Sequence, residues 1–312
     1  MTEISRKILG SFQIRKSKRQ KVEFRSWLSG ELTRAGYAPK AEHYAGLIPG
    51  CNLVAGDPET AEVICAAHYD TCAVMPLPNF ITPRNMVWYL LYQLALTVVI
   101  FLFAAAVEIA VIAAFEPPAT IAALAMEMAL FFALWWLIFG PANRRTANDN
   151  TSGVIALTET ALTIPEELRD KVCFVFFDNE EKGLFGSAAF AKAHPKIKDN
   201  APVLNFDCVG DGDFLQFFPN PSAKKDTLLL SRLERAFLPE EGKGVEVVRS
   251  FGFYPSDQRH FRRGIGVCAL QKHRIFGYYM DKIHTGKDTV LDEDNIRLLR
   301  DGVERLLRLS MQ

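Results

Sequence analysis

Residues 86–139 constrain this chain more than any other stretch. Residues 86–114 are almost unbroken in apolar side chains, interrupted by Gln93, Thr97 and Glu108. Glu116-Pro117-Pro118 then breaks the run, and residues 119–139 carry only Thr120 and Glu127 as polar positions. About 20 apolar residues suffice to cross the hydrocarbon core of a bilayer. A helix buried in a soluble protein is rarely apolar on every face for so long. Residues 86–140 therefore read as a transmembrane helical hairpin, with a hydrophobic lid or a dimer interface as the alternative. If the first helix enters near Met86, Glu108 falls close to the far interface and away from mid-bilayer, where a charge is costly. Arg84 precedes the hairpin, Arg144 and Arg145 follow it, and Phe115-Glu116-Pro117-Pro118 between the helices has no basic residue. By the positive-inside rule both flanking parts lie in the cytoplasm, which makes the expected product an integral membrane protein with its main body facing that side.

The remaining composition bounds the function class. Lys and Arg total 36 and so do Asp and Glu, so the overall charge argues for neither nucleic acid nor an acidic partner. Cys51, Cys65, Cys72, Cys173, Cys208 and Cys268 contain no Cys-x-x-Cys pair. Several sit in apolar runs, the pattern of buried free thiols in a reducing compartment. The first six residues have no apolar core or cleavage site, so no secretory signal is expected. Arg15, Lys16, Lys18, Arg19, Lys21 and Arg25 form a basic segment. It reads as a solvated helix face, or more sharply as a surface attracted to anionic lipid headgroups.

Outside the hairpin, helical spacing marks residues 21–37 and 293–309, and further helices follow residue 153, at 184–194 and at 227–238. Strands are expected at 52–56, 62–67, 172–177, 202–209, 214–218, 245–248 and 266–270. Strands alternating with helices argue for α/β layers. The expected organisation is one body in two segments, residues 1–85 and 141–312, around an inserted hairpin at 86–140.

Chemistry collects at the strand ends. Val172-Cys173-Phe174-Val175-Phe176-Phe177 reads as a strand buried on both faces. It runs into Asp178-Asn179-Glu180-Glu181-Lys182-Gly183-Leu184-Phe185-Gly186-Ser187. An acidic turn before a helix is ordinary, but adjacent glutamates gain nothing by sharing a crevice unless a cation is there. His68 and Asp70, Asp149, Asp207 and His284 occupy comparable positions after strands or in loops. Imidazole and carboxylate without thiolate suit zinc in a hydrolytic site, with manganese or cobalt as substitutes.

The ordered set His68-Tyr69-Asp70, Asn148-Asp149-Asn150-Thr151-Ser152-Gly153, Glu180-Glu181-Lys182-Gly183-Leu184-Phe185-Gly186-Ser187, Asp207 and His284-Thr285-Gly286-Lys287-Asp288-Thr289 resembles the zinc aminopeptidases of family M28. The resemblance spans residues 52–289 apart from the hairpin. It implies a doubly wound, three-layer α/β sandwich with a mixed central sheet. It also implies two zinc ions bridged by Asp149, one held further by His68 and Asp207 and the other by Glu181 and His284. Asp70 would accept the second ring N–H of His68, and Glu180 would act as general base and then acid on the attacking water. A cis peptide between Asp149 and Asn150 is implied too. The implied substrate is a peptide with a free N-terminus.

Two departures bear on substrate contacts. Gln258 stands in the histidine slot of a Ser-Asp-His segment, and Ile283 precedes His284 where some members carry tyrosine. His43, His194 and His273 fit no motif. The leading expectation is a membrane-anchored metallo-aminopeptidase that meets peptide and lipid, with homo-oligomerisation through the hairpin as an option. The alternatives are a mononuclear enzyme like the glutaminyl cyclases, a non-catalytic membrane scaffold with a peptidase fold, and a transporter component, for which one hairpin supplies too few helices.

Overall fold

The computed structural model describes residues 1–309. In chain order it contains helices α1 (Glu3–Ser11) and α2 (Lys18–Arg34), strands β1 (Lys40–Tyr44), β2 (Gly50–Ala55) and β3 (Val63–His68), and helices α3 (Met86–Phe115) and α4 (Ala119–Phe139). Then come α5 (Gly153–Thr163), β4 (Val172–Phe177), α6 (Phe185–Ala193), α7 (Pro195–Asn200), β5 (Val203–Phe206) and β6 (Phe214–Pro219). The chain closes with α8 (Thr227–Ala236), β7 (Gly244–Val247), β8 (Gly264–His273), β9 (Gly277–Tyr279) and α9 (Glu293–Leu309).

The strands form one mixed sheet in the order β1-β2-β4-β3-β5-β8-β6-β7, with β9 paired to β8. At its centre β4, β3, β5 and β8 run parallel. Antiparallel pairs flank them: β2 with β4 on one side and β6 with β8 on the other. Alternation along β4 shows how the layers are built. Phe174 and Phe176 enter a core shared with α2, α5, α8 and α9. Cys173, Val175 and Phe177 enter a second core with Phe190 of α6 and Ile197 of α7. All six β4 residues are buried, as a central strand between two helical layers requires.

α2 starts at Lys18, ahead of its apolar stripe, because Ser17 and Gln20 form a reciprocal capping box. The reading of the basic segment as a solvated or lipid-facing surface holds for only part of it. Arg15 and Lys21 are buried, while Lys18 and Arg19 remain exposed. The edge strand β1 and the short elements α1, α7 and β9 were not anticipated.

α3 and α4 pack on each other, and of their residues only Ala104, Ala122 and Ala129 are buried. Large apolar side chains point outward along both helices, including Leu94, Leu102, Phe131 and Leu134. Both helices are long and apolar enough to cross a membrane. The hairpin's feet are tied to the body. Val74 N donates to Pro141 O at 2.8 Å and Asn143 N to Cys72 O at 3.1 Å. Met75 N donates to His284 O at 2.7 Å, and Ile81 pairs with Met280.

Candidate metal centre

β3 lies between β4 and β5, so the chain reverses its direction of travel across the sheet at β3. Open α/β sheets bind ligands at the carboxyl ends of strands at such a point. The structure puts His68 at the end of β3 and Asp70 two residues on. Glu180 and Glu181 follow β4, and Asp207 follows β5. Asp149 comes from the loop before α5, and His284 from the loop between β9 and α9.

Each loop is held by identifiable bonds. Asn150 Nδ2 donates to Phe206 O at 2.9 Å, and its Oδ1 accepts from Gly153 N and Cys208 N. Asn148 Oδ1 accepts from Gly210 N at 2.7 Å. Asp288 accepts from the backbone N–H groups of Asn148 and Asp149 at 2.6 and 3.0 Å. The side chains of the Asn-Asp-Asn run thus lash the Asp149 loop to the end of β5. The Asp149–Asn150 peptide is cis. Asn179, Cys208 and His284 all have φ near +60°, a left-handed conformation costing about 1–2 kcal/mol for an L-residue.

Asp149 faces both histidines, one oxygen to each. Its Oδ1 lies 3.4 Å from His68 Nε2 and its Oδ2 2.9 Å from His284 Nε2. His68 Nε2 is also 3.5 Å from Asp207 Oδ1, and His284 Nε2 is 3.4 Å from Glu181 Oε2. These separations are close to the ~3.3 Å between donors around a tetrahedral ion with bonds of about 2.0 Å. His68 Nδ1 sits 3.2 Å from Asp70 O, which leaves Nε2 free to offer its lone pair to the cluster.

The acceptor facing His68 Nδ1 is thus the Asp70 backbone carbonyl in place of the expected carboxylate. The Asp70 carboxylate is 3.6 Å from His68 Nδ1, but it accepts from Glu180 N at 3.0 Å and Glu181 N at 3.3 Å. It therefore joins the β3 end to the β4 end. Beneath it the buried Arg15 donates through Nε to Tyr69 O at 2.5 Å. Burial lowers the Arg15 pKa to about 10 despite the Asp70 and Asp149 charges. Lys21 Nζ, also buried, reaches Asp178 Oδ1 at 2.5 Å and Asn179 Oδ1 at 2.8 Å. Neither interior role is visible in the sequence, where both residues look like members of one basic run.

The donor set fits divalent cations. Carboxylates outnumber imidazoles, His68, Asp149 and Asp207 are buried while Glu180, Glu181 and His284 are partly exposed at the open side, and Glu181 Oε1 has no hydrogen-bond partner among the described residues. A buried carboxylate oxygen without a partner is costly unless a cation meets it. The protonation tendencies reflect this crowding. Burial, reinforced by Glu181 and Asp207, pushes Glu180 well above the usual carboxylate range, and burial with the Asp149 charge brings Glu181 to about 8. Burial opposes charge on the histidines, but the surrounding carboxylates outweigh it and raise both, His284 to about 9. The donors converge in three groups: His68, Asp149 and Asp207; Cys72, Asp149, Glu181 and His284; and His68, Glu180 and Glu181, the first two sharing Asp149. Cys72 carried no signal beyond its place two residues after Asp70.

The other sites noted in the sequence take less part. Gln258 is buried and bonds to Tyr254 O and Asn205, and Ile283 is buried in a small apolar cluster. His194 lies 3.2 Å from both Glu42 and Glu59, and His273 stacks on Phe276. His43 is exposed.

No curated protein matches the chain. Among solved structures, a glutaminyl cyclase from Porphyromonas gingivalis superposes with a TM-score of 0.63 at 17% identity, covering 98% of this chain and 96% of its own. A Zn-dependent exopeptidase from Parabacteroides distasonis gives 0.59 at 15%, covering 97% and 94%. The LapA aminopeptidase of Legionella pneumophila gives 0.58 at 14%, covering 98% and 69%. At such identities the likeness establishes the fold, a mixed α/β sheet of the zinc-exopeptidase kind. The model of peptidase family M28 matches residues 131–303, a stretch that takes in Asp149, Glu180, Glu181, Asp207 and His284 and begins beyond His68. With more than half of its length matched, the chain belongs to peptidase family M28.

Proposed function

We propose that the protein is a membrane-anchored metallo-aminopeptidase that removes N-terminal residues from peptides at a dinuclear zinc centre. The observation that carries this reading is Asp149, whose two carboxylate oxygens each face a different histidine-containing donor group. In this reading His68 and Asp207 hold one ion, Glu181 and His284 the other, and Asp149 both. Bound there, zinc would supply acidification of the attacking water and polarisation of the scissile carbonyl.

The protein's own groups do the rest. Glu180 stands beside the cluster with its backbone N–H fixed by Asp70. Its raised proton affinity suits a group that takes a proton from the attacking water and hands it to the leaving amine. Asp70 holds the Glu180-Glu181 turn and His68 in register.

The hairpin is read as an insert crossing the bilayer between the segments 1–85 and 141–312, with the catalytic body in the cytoplasm. Its outward apolar surface supports this, as do Arg84, Arg144 and Arg145 at its feet. Six free, buried cysteines accord with that compartment.

Metal content and hydrolysis of aminoacyl-chromophore substrates by detergent-purified protein test the proposal. Wild type is expected to hold about two zinc per chain. Asp149→Ala should lose both metal and activity. Glu180→Gln should keep its metal and lose about 10²–10⁴-fold in kcat. A second reading draws on the glutaminyl cyclase likeness, and one tightly held zinc with cyclisation of N-terminal glutamine in place of hydrolysis would favour it. The presence of both His68 and Asp207 beside Asp149 favours hydrolysis at two metals.

A further inference from the structure

We propose that the Cys72 thiolate is a protein ligand of the ion held by Asp149, Glu181 and His284, which makes this half of the centre a mixed sulfur, nitrogen and oxygen site. The inference rests on the reading of the cluster as a metal centre and goes beyond its imidazole and carboxylate donors.

Cys72 Sγ and one donor atom each from Asp149, Glu181 and His284 all lie within 4.8 Å of one another. Four such atoms are the complement of a tetrahedral ion, with zinc–sulfur bonds of about 2.3 Å and zinc–nitrogen or zinc–oxygen bonds of about 2.0 Å. Glu181 Oε1, in the same group, is buried without a hydrogen-bond partner, an independent sign that this pocket is shaped for a cation. The Glu181 side chain is only 7% exposed and Cys72 only 1%.

The sulfur is also held in place. Cys72 O accepts from Asn143 N, Val74 N donates to Pro141 O, and Met75 N donates to His284 O. The segment carrying the thiol is therefore fixed both to the foot of the hairpin and to the loop that presents His284. Cys208 gives the contrast. It also adjoins a proposed ligand, but its thiol donates to Asp207 Oδ1 at 3.2 Å, and among the described residues it belongs to no group of converging donors.

Ion binding would exchange the S–H bond of Cys72 for a metal–sulfur bond and release the proton to solvent. A thiolate shifts selectivity toward zinc, cobalt and cadmium and away from manganese and magnesium. A Cys72 ligand would bring this ion to four protein donors, the pattern of a closed site, and would leave the open position to an ion on His68, Asp149 and Asp207.

Cobalt(II) reconstitution of the full-length protein in detergent tests the assignment without relying on turnover. A near-ultraviolet thiolate-to-cobalt charge-transfer band is expected in wild type and in Cys208→Ser, and its loss is expected in Cys72→Ser. Cadmium affinity should fall about 10–100-fold in Cys72→Ser, at least the scale at which outer partners of metal ligands count, and hold steady in Cys208→Ser. X-ray absorption of the zinc-loaded wild type needs no variant and should show a sulfur scatterer at ~2.3 Å. Metal bound without the band or the sulfur scatterer, or a band that survives in Cys72→Ser, overturns the Cys72 assignment alone. Failure of wild type to take up cobalt or zinc overturns the metal-centre reading together with it.

Discussion

Glu180 and Glu181 are adjacent, yet their surroundings separate them. Glu181 Oε2 turns toward His284, while the Glu180 backbone is fixed by Asp70 and its carboxyl takes up protons readily. That separation requires a rigid strand end, and Lys21 provides much of the rigidity. Its ammonium is buried against Asp178, and Asp178 Oδ2 in turn accepts from Cys51 N at 3.1 Å on β2. Breaking a buried pair from one side strands the remaining charge, at a cost of about 3–5 kcal/mol. Lys21→Met is therefore expected to lose that much stability in chemical denaturation. Lys21→Met combined with Asp178→Asn should recover part of it, because the buried carboxylate is then neutral, while Arg25, 4.0 Å from Asp178 Oδ2, keeps its bond to the Tyr69 hydroxyl. A double variant no more stable than the single one would refute this account. The metal-ligand candidates were legible before the fold because each sits in a compact run such as His68-Tyr69-Asp70 or Glu180-Glu181. Lys21, Arg15 and Cys72 were not. Their roles depend on which strand end they meet, and nothing local in the sequence carries that information.

Among the elements, the junction of β4 with α6 governs how closely the acidic turn approaches the sheet. The chain passes from Phe177 through Asp178 and the two glutamates, then enters α6 at Phe185 with Leu184 at φ +61°. Gly186 in the first turn lies so close to the strand end that an added Cβ would stand 2.3 Å from Asp178 O and 2.6 Å from Asp178 N. Both obstacles are backbone, so no side chain can yield. Gly186→Ala is expected to cost at least the ~1–3 kcal/mol typical of overpacking and to reduce metal occupancy by displacing Glu180 and Glu181. Elemental analysis and thermal unfolding would check this, and a variant with unchanged metal content and melting temperature would contradict it. Elements buried on both faces, such as β4, announced themselves through unbroken apolar runs, and α9 did so through its stripe. β1 did not, because Lys40-Ala41-Glu42-His43-Tyr44 pairs only with β2 at the sheet edge and has no buried face to impose an apolar pattern. β9 and the short helix α7 escaped for the same reason: each has too few buried positions to set a period.

At the scale of the whole molecule, a polar body carries a two-helix projection whose apolar side chains find no cover in the fold. Exposed apolar surface of that extent calls for a bilayer or a partner, and the all-round apolar character of both helices favours lipid. The expected behaviour of the full chain is retention in membranes under alkaline carbonate, with extraction only by detergent; release as a soluble species would overturn the membrane reading. The hairpin's position adds a second consequence. Its feet flank the segment from Cys72 to Met75, which bonds directly to the His284 loop, so the helices rise from the rim of the site. If the hairpin is inserted as proposed, a substrate approaching from that side would meet the bilayer surface, which would favour short peptides or chains already lying along the membrane. The feet are pinned by the pairings of Ala73 with Ala142 and Ile81 with Met280, contacts that do not involve the helices. Replacing residues 86–139 with a short Gly/Ser linker should therefore leave the feet and the metal donors in place. The expected product is soluble, retains its metal, and cleaves long peptides with a kcat/KM closer to that for short ones than the full chain shows. An unchanged preference for peptide length in a soluble, metal-loaded variant would mean that the hairpin anchors the enzyme without screening what reaches it.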